Sequence, residues 1–130
     1  MRSIFISILC LFSQVLTAQT WQWSHQIGGP SSESIRLIGT DALAAVYIYG
    51  GYSGTSGVYI GQDTLYAPYG AAFIAKYNSD GNLAWVRNCT SPNGIGINGA
   101  VIDTVANKLY VAGVYINSCM LDTCMLSGLY

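Results

Sequence analysis

The side chains able to do chemistry in this chain are few and scattered. His25 is the only histidine and Glu33 the only glutamate. His25 lies in an alternating stretch beside Trp23, with no acid close in sequence to complete a triad, so it reads as a structural or surface residue. With Glu33 alone, a carboxylate pair for glycoside hydrolysis would have to come from aspartates. Asp41 and Asp103 occupy related turn positions, and their recurrence points to accepting backbone N–H bonds rather than to catalysis. Asn78-Ser79-Asp80-Gly81-Asn82 lacks the spacing and terminal Glu of an EF-hand loop. Gly50 to Gly57 is glycine-rich but has no Lys followed by Ser or Thr, so it does not fit a phosphate loop. Asn88-Cys89-Thr90 has the form of an N-glycosylation acceptor. Of the cysteines, Cys10 precedes Cys89, Cys119 and Cys124. Leaving out Cys10, the odd number argues against a complete disulfide framework. Cys119 and Cys124 would pair only if a bend joined them, and free thiols fit equally. No C-x-x-C occurs, and one histidine gives no metal cluster. The expectation is therefore no catalytic set, no cofactor and no metal site, with enzymatic activity unsupported but open.

The bulk properties narrow the partners. Five Lys and Arg against six Asp and Glu give a formal net charge of −1, which offers no electrostatic basis for nucleic-acid binding. Apolar residues make up 52%, with 15 Gly and 10 Tyr, a balance suited to one sheet domain with many tight turns. Residues 1–18 read as a signal peptide. Arg2 supplies the positive start, Ile4 to Leu16 the apolar stretch, and Leu16-Thr17-Ala18 the small-residue cleavage pattern. No later segment is long and apolar enough to span a membrane. The expected location is secreted or cell-surface, with residues 19–130 as the exported part.

These residues must be positioned by strands. In Ala71 to Arg87, Phe73, Ala75 and Tyr77 share one face and Ile74 and Lys76 the other. Leu83, Trp85 and Arg87 then alternate with Ala84 and Val86. Asp80-Gly81 supplies the turn of a β-hairpin. Strands are also expected over Trp21 to Ile27, Ile35 to Ile38, Ala42 to Tyr49, Gly99 to Asp103 and Leu109 to Gly113, with a small edge piece at Tyr59 and Ile60. Cys89 to Asn98 and the chain from Tyr115 onward read as loops. Landmarks recur about 60 residues apart: Trp23 with Trp85, Ile38 with Val101, Asp41 with Asp103, Val46-Tyr47 with Leu109-Tyr110, and Gly50 with Gly113. Such a period predicts small antiparallel sheets stacked face to face, with about four short strands per unit.

The string A-F-I-A-K-Y-N-S-D-G-N-L-A-W at Ala72 to Trp85 resembles the bacterial β-propeller repeat known as the SBBP-type or seven-bladed repeat. The later parts of that pattern match Ile102-Asp103 and Leu109 to Gly113, and in the first copy Ile38 to Asp41 and Val46 to Gly50. The bend after Trp85 departs from it, with Cys89 to Gly94 where Gly-Gly stands after Trp23. The resemblance implies an all-β fold of antiparallel propeller-like blades, about two repeats of an incomplete propeller. It makes Trp23, Asp41, Gly50, Phe73, Tyr77, Gly81, Trp85, Asp103 and Gly113 structural repeat positions. It also implies an exported, Bacteroidetes-like protein of the type associated with type IX secretion, and a fragment, since the second copy stops before its own hairpin. The function it implies is a non-enzymatic propeller scaffold or binding module at the cell surface. The alternative is a piece of a secreted propeller enzyme, a glycan hydrolase or lyase, with its catalytic residues in missing blades. A small secreted β-sandwich is the third reading. Tyr52, Tyr59, Tyr66 and Tyr69 are the candidate contacts for a protein or glycan partner, and self-association or pairing with remaining blades is expected of such open sheets.

Overall fold

The computed structural model describes residues 20–30 and 32–128, and the leader assigned to residues 1–18 lies outside them. The described residues are all-β. The strands are β1 (Ile27–Gly28), β2 (Glu33–Thr40), β3 (Val46–Tyr52), β4 (Val58–Ile60), β5 (Asp63–Leu65), β6 (Ala71–Tyr77), β7 (Leu83–Thr90), β8 (Ile95–Asp103), β9 (Lys108–Tyr115), β10 (Ser118–Leu121) and β11 (Cys124–Ser127). They form three antiparallel sheets. A six-stranded sheet runs in the order β11-β10-β7-β6-β3-β2, a three-stranded sheet in the order β1-β4-β5, and β8 and β9 make a two-stranded ribbon.

The central hairpin shows how sequence becomes packing. β6 and β7 pair antiparallel around a turn at residues 78–82. Gly81 takes a φ of +87°, a left-handed conformation that glycine adopts without a Cβ penalty, and its N–H donates to Asn78 O. Asp80 closes the same turn by accepting from the Asn82 backbone N–H at 3.0 Å. Alternation sends Phe73, Ala75 and Tyr77 to one face, where all three are buried. The register shifts between Lys76 and Tyr77. Leu83 therefore packs with Val86 against the core, while Trp85 and Arg87 stand opposite Lys76 and Ile74 on the other face. The simple alternation that put Leu83 beside Trp85 fails at this bulge.

One face of the six-stranded sheet carries the main core. Tyr52, Ala71, Phe73, Ala75 and Tyr77 pack with Val58, Ile60 and Ala67. The alanines of β6 leave room for the bulky Val58 and Ile60, both 0% exposed. Burying each such side chain contributes about 1.5–3 kcal/mol. The ribbon lies across the opposite face, with β8 packed over β2, β3 and β6.

This architecture corrects the propeller reading. Two equivalent four-stranded blades are absent among the described residues; the sheets hold six, three and two strands, and none closes on itself. Val46 starts β3, an interior strand paired on both sides. Leu109 lies on β9, which among the described residues is paired on one side only, to β8. Trp85 is inside β7, whereas Trp23 belongs to no strand and lies against Tyr77 and the Gly81 turn. Local likeness persists: Asp41 and Asp103 each cap a turn. It does not extend to the sheets. Other expectations also shift. Trp21 to Gln26 is not a strand, and the supposed loops are partly β: β7 runs to Thr90, β8 begins at Ile95, and β10 and β11 form a hairpin after Tyr115.

Candidate functional site: the β8–β9 ribbon and the cleft behind it

β9 is apolar yet exposed. Its sequence, KLYVAGVY, has six exposed positions out of eight, and Tyr110, Val111 and Val114 are 53%, 43% and 60% exposed. The interior strand β3 is equally apolar but mostly covered. The difference comes from pairing. β3 lies between β2 and β6, whereas the outer edge of β9 has no neighbouring strand among the described residues. Lys108 is its only charged residue and sits at one end, and no proline interrupts it, so the usual protections of an edge strand are missing.

Behind the ribbon a cleft of about 450 Å³ separates it from the six-stranded sheet. Ile74, Ile97, Val111, Leu121 and Leu126 supply apolar walls, with Cys89 and Cys119 among the lining residues. At the rim Arg87 pairs with Asp122 at 3.1 Å, both about half exposed. An exposed pair of this kind is worth at most about 1 kcal/mol. The three described cysteines are free, Cys89 and Cys119 buried and Cys124 exposed. In the β10–β11 hairpin Cys119 stands opposite Leu126 and Cys124 opposite Leu121, so the two cysteines are not cross-strand partners. Burial pushes the Cys89 thiol up to about 11, which removes it as a nucleophile at neutral pH.

The remaining sequence-selected residues fall into separate settings. Asp41 is the centre of a polar cluster on the ribbon side of the sheet. Its Oδ1 accepts from the backbone N–H groups of Leu43 and Ala45. Its Oδ2 accepts from the Tyr47 hydroxyl at 3.1 Å and from Lys76 Nζ at 3.0 Å. The Ala45 N–H bond, then Lys76, Leu43 and Tyr47, hold its carboxyl down at about 2 against the burial that opposes them. Lys76 also sits 4.9 Å from the centre of the Tyr47 ring, and Tyr47 meets Trp85 edge-on. Asp103 accepts from the N–H groups of Val105 and Ala106 at the tip of the ribbon. Gly50 and Gly113 each pass close to a backbone oxygen of the adjacent strand, Ser34 O and Gly96 O. Phe73 and Tyr77 are core residues.

Of the tyrosines chosen as partner contacts, Tyr59, Tyr66 and Tyr69 are exposed. Tyr52 is not: it is 4% exposed, packs on Phe73 and donates its hydroxyl to Asn88 Oδ1 at 2.8 Å. Tyr66 and Tyr69 share a depression of about 350 Å³ with Pro68, Met120 and Met125. The ribbon edge escaped sequence reasoning because exposure of an apolar strand depends on its long-range neighbours. The one available signal is the lack of proline and of any charge beyond Lys108 at its end.

Among the described residues no group of three or more His, Cys, Asp or Glu side chains could hold a metal ion, and no helix is long and apolar enough to cross a membrane. No protein family, curated protein or solved structure matches this chain. The likeness of Ala72 to Trp85 to the SBBP-type repeat therefore stops at one hairpin, and with it go the propeller scaffold, the propeller enzyme and the link to type IX secretion.

Proposed function

We propose that this chain is an exported assembly domain that pairs with a second copy of itself along the open edge of β9. The carrying observation is the apolar β9 strand, exposed and, among the described residues, unpaired on one side. A two-fold axis beside β9 would join two ribbons into a four-stranded sheet in the order β8-β9-β9-β8. That extension has a thermodynamic reason, since it would pair the free backbone N–H and C=O groups along the outer edge of β9. Without Arg2, residues 19–130 hold four Lys and Arg against six Asp and Glu, and a net charge of −2 opposes self-association weakly. The leader-like residues 1–18 support export of the assembling chain. Residues 19–130 are the part that assembles.

Sedimentation of the exported, processed chain under reducing conditions tests this reading, the reductant excluding disulfide-linked dimers through exposed Cys124. A concentration-dependent dimer is expected. Val114→Lys, at an exposed position of β9, should return it to monomer with an unchanged β circular-dichroism spectrum. A wild-type chain that stays monomeric at all concentrations up to the high micromolar range would reject the proposal.

A further inference from the structure

The β10–β11 hairpin supplies the bend that Cys119 and Cys124 need in order to meet. Its register sets Cys119 opposite Leu126 and Leu121 opposite Cys124. Opposed residues share a sheet face, as do residues two apart on one strand. Cys119 and Cys124 therefore lie on one face, on a diagonal across the hairpin. Leu121 also stands opposite Cys89 of β7, which brings the third described cysteine to the same face. All three thiols are free, yet they are close enough to interact. Cys124 adds to the burial that pushes Cys119 up, and Cys119 adds to the burial that pushes up Cys89.

Burial decides which two can react. Cys124 is exposed, whereas Cys89 and Cys119 are buried. Cys89, held up at about 11, is almost wholly protonated at neutral pH and stays out of the exchange. Diagonal neighbours stand about 7–8 Å apart, and a disulfide holds its Cα atoms at about 4.4–6.8 Å, so the hairpin must tighten by about 1 Å to close the bond. It is held lightly enough to do so. Among the described residues β11 pairs only with β10, and all its positions are exposed. β10 meets β7 through Met120 and Leu121 alone, and Cys119 lies beyond that short ladder.

We propose that Cys119 and Cys124 are a disulfide-forming pair that locks the edge hairpin when the chain meets an oxidising compartment. That setting rests on export of the chain. The bond itself forms within one chain and does not depend on pairing through β9. The oxidant is a low-molecular-weight disulfide. The Cys124 thiolate attacks one of its sulfurs and expels the first small thiolate, leaving a mixed disulfide on Cys124. The Cys119 thiolate then attacks Cys124 Sγ and expels the second. Two protein thiols are oxidised, each giving up its proton, and one external disulfide is reduced to two thiols.

The test is incubation of the exported, processed chain with excess glutathione disulfide at about pH 8, followed by alkylation with iodoacetamide and chymotryptic mass mapping without reductant. Cleavage after Leu121 opens the loop, so the bond appears as two joined peptides. Most molecules should be monomers lighter than the reduced chain by two hydrogen atoms, with Cys119 joined to Cys124 and Cys89 alkylated only after unfolding. Cys119→Ala should stop at glutathione carried on Cys124, and Cys89→Ala should still form the bond. The map of the wild-type chain decides even if Cys119→Ala fails to fold. Four wild-type outcomes would overturn the proposal: three thiols still free, glutathione left on Cys124, a bond between Cys89 and Cys119, or dimers linked through Cys124 in place of the internal bond.

Discussion

Trp23 stacks on Tyr77, their ring centroids 5.7 Å apart and their planes inclined at 28°. The contact joins a segment without regular structure to the end of an interior strand. Trp23 Nε1 donates to Ser79 O at 3.2 Å, and a Cβ on Gly81 would lie 2.7 Å from Trp23 Cγ. The segment before β1 is thus held by side chains rather than by a backbone ladder. Trp23→Ala should cost about 1–3 kcal/mol, made up of the stack and the lost apolar burial. Limited proteolysis should then show new cleavage between residues 20 and 27 with the remaining strands protected. Uniform loss of protection across the chain would show that Trp23 supports the whole core instead.

Gly50 is demanded by contact rather than by turn geometry. It lies in β3 between Ile35 and Phe73 in register. A Cβ there would collide with Ser34 O and come within 2.6 Å of the Phe73 ring. The backbone oxygen cannot rotate away, and Phe73 is 0% exposed. Gly50→Ala should therefore destabilise by at least about 1–3 kcal/mol, the cost of overpacking, as measured by urea unfolding. Gly70, with nothing within 4 Å of its Cβ position, is the control: its alanine variant should stay within about 0.5 kcal/mol of wild type.

The same residues show what could be read before the fold was known. Phe73, Ala75 and Tyr77 announced a buried face through period-two spacing, and Asp80-Gly81 announced its turn. Both are local properties. Val46-Tyr47 and Leu109-Tyr110 look alike locally, but one pair is walled in by β2 and β6 and the other is left on an open ribbon. That outcome depends on strands distant in sequence. Trp21 to Ile27 alternates like a strand, yet Trp23 and His25 bond the hairpin turn through their side chains, and only Ile27 of this stretch joins a ladder. The β10–β11 hairpin carries no such local mark, because its two-residue turn, Asp122-Thr123, contains no Gly or Asn. Asp122 nevertheless takes a φ of +56°, which aspartate tolerates better than most residues.

The thiols should differ sharply in reactivity. Cys89 is held up at about 11, chiefly by burial and further by Cys119 and Asp122, and burial also raises Cys119. Cys124 is exposed. Iodoacetamide at about pH 8, where only thiolate reacts, should modify Cys124 first and leave Cys89 untouched until the chain is unfolded. Peptide mass mapping over a time course checks this order. Equal early labelling of Cys89 and Cys124 would mean that the cleft opens readily to solvent.

Asp41 ties part of the acid stability to the turn before β3. Its folded value of about 2 lies below the ordinary 3.8, so the folded state binds the proton less readily than the unfolded chain. Its contribution is complete above the ordinary carboxylate range and is lost as pH falls from 3.8 through about 2. The Asp41 side chain is only 6% exposed, so salt should screen its pair with Lys76 weakly. Asp41→Asn keeps an oxygen able to accept from Leu43 and Ala45 but abolishes the titration and leaves Lys76 without its anion. The variant should be less stable than wild type at neutral pH, and its stability should vary less with pH across that window. The two proteins should converge as pH drops toward 2. Urea unfolding at a series of pH values measures both curves. Parallel curves would mean that the carboxylate titrates alike in folded and unfolded chains, and that the turn is held by its hydrogen bonds without help from the charge.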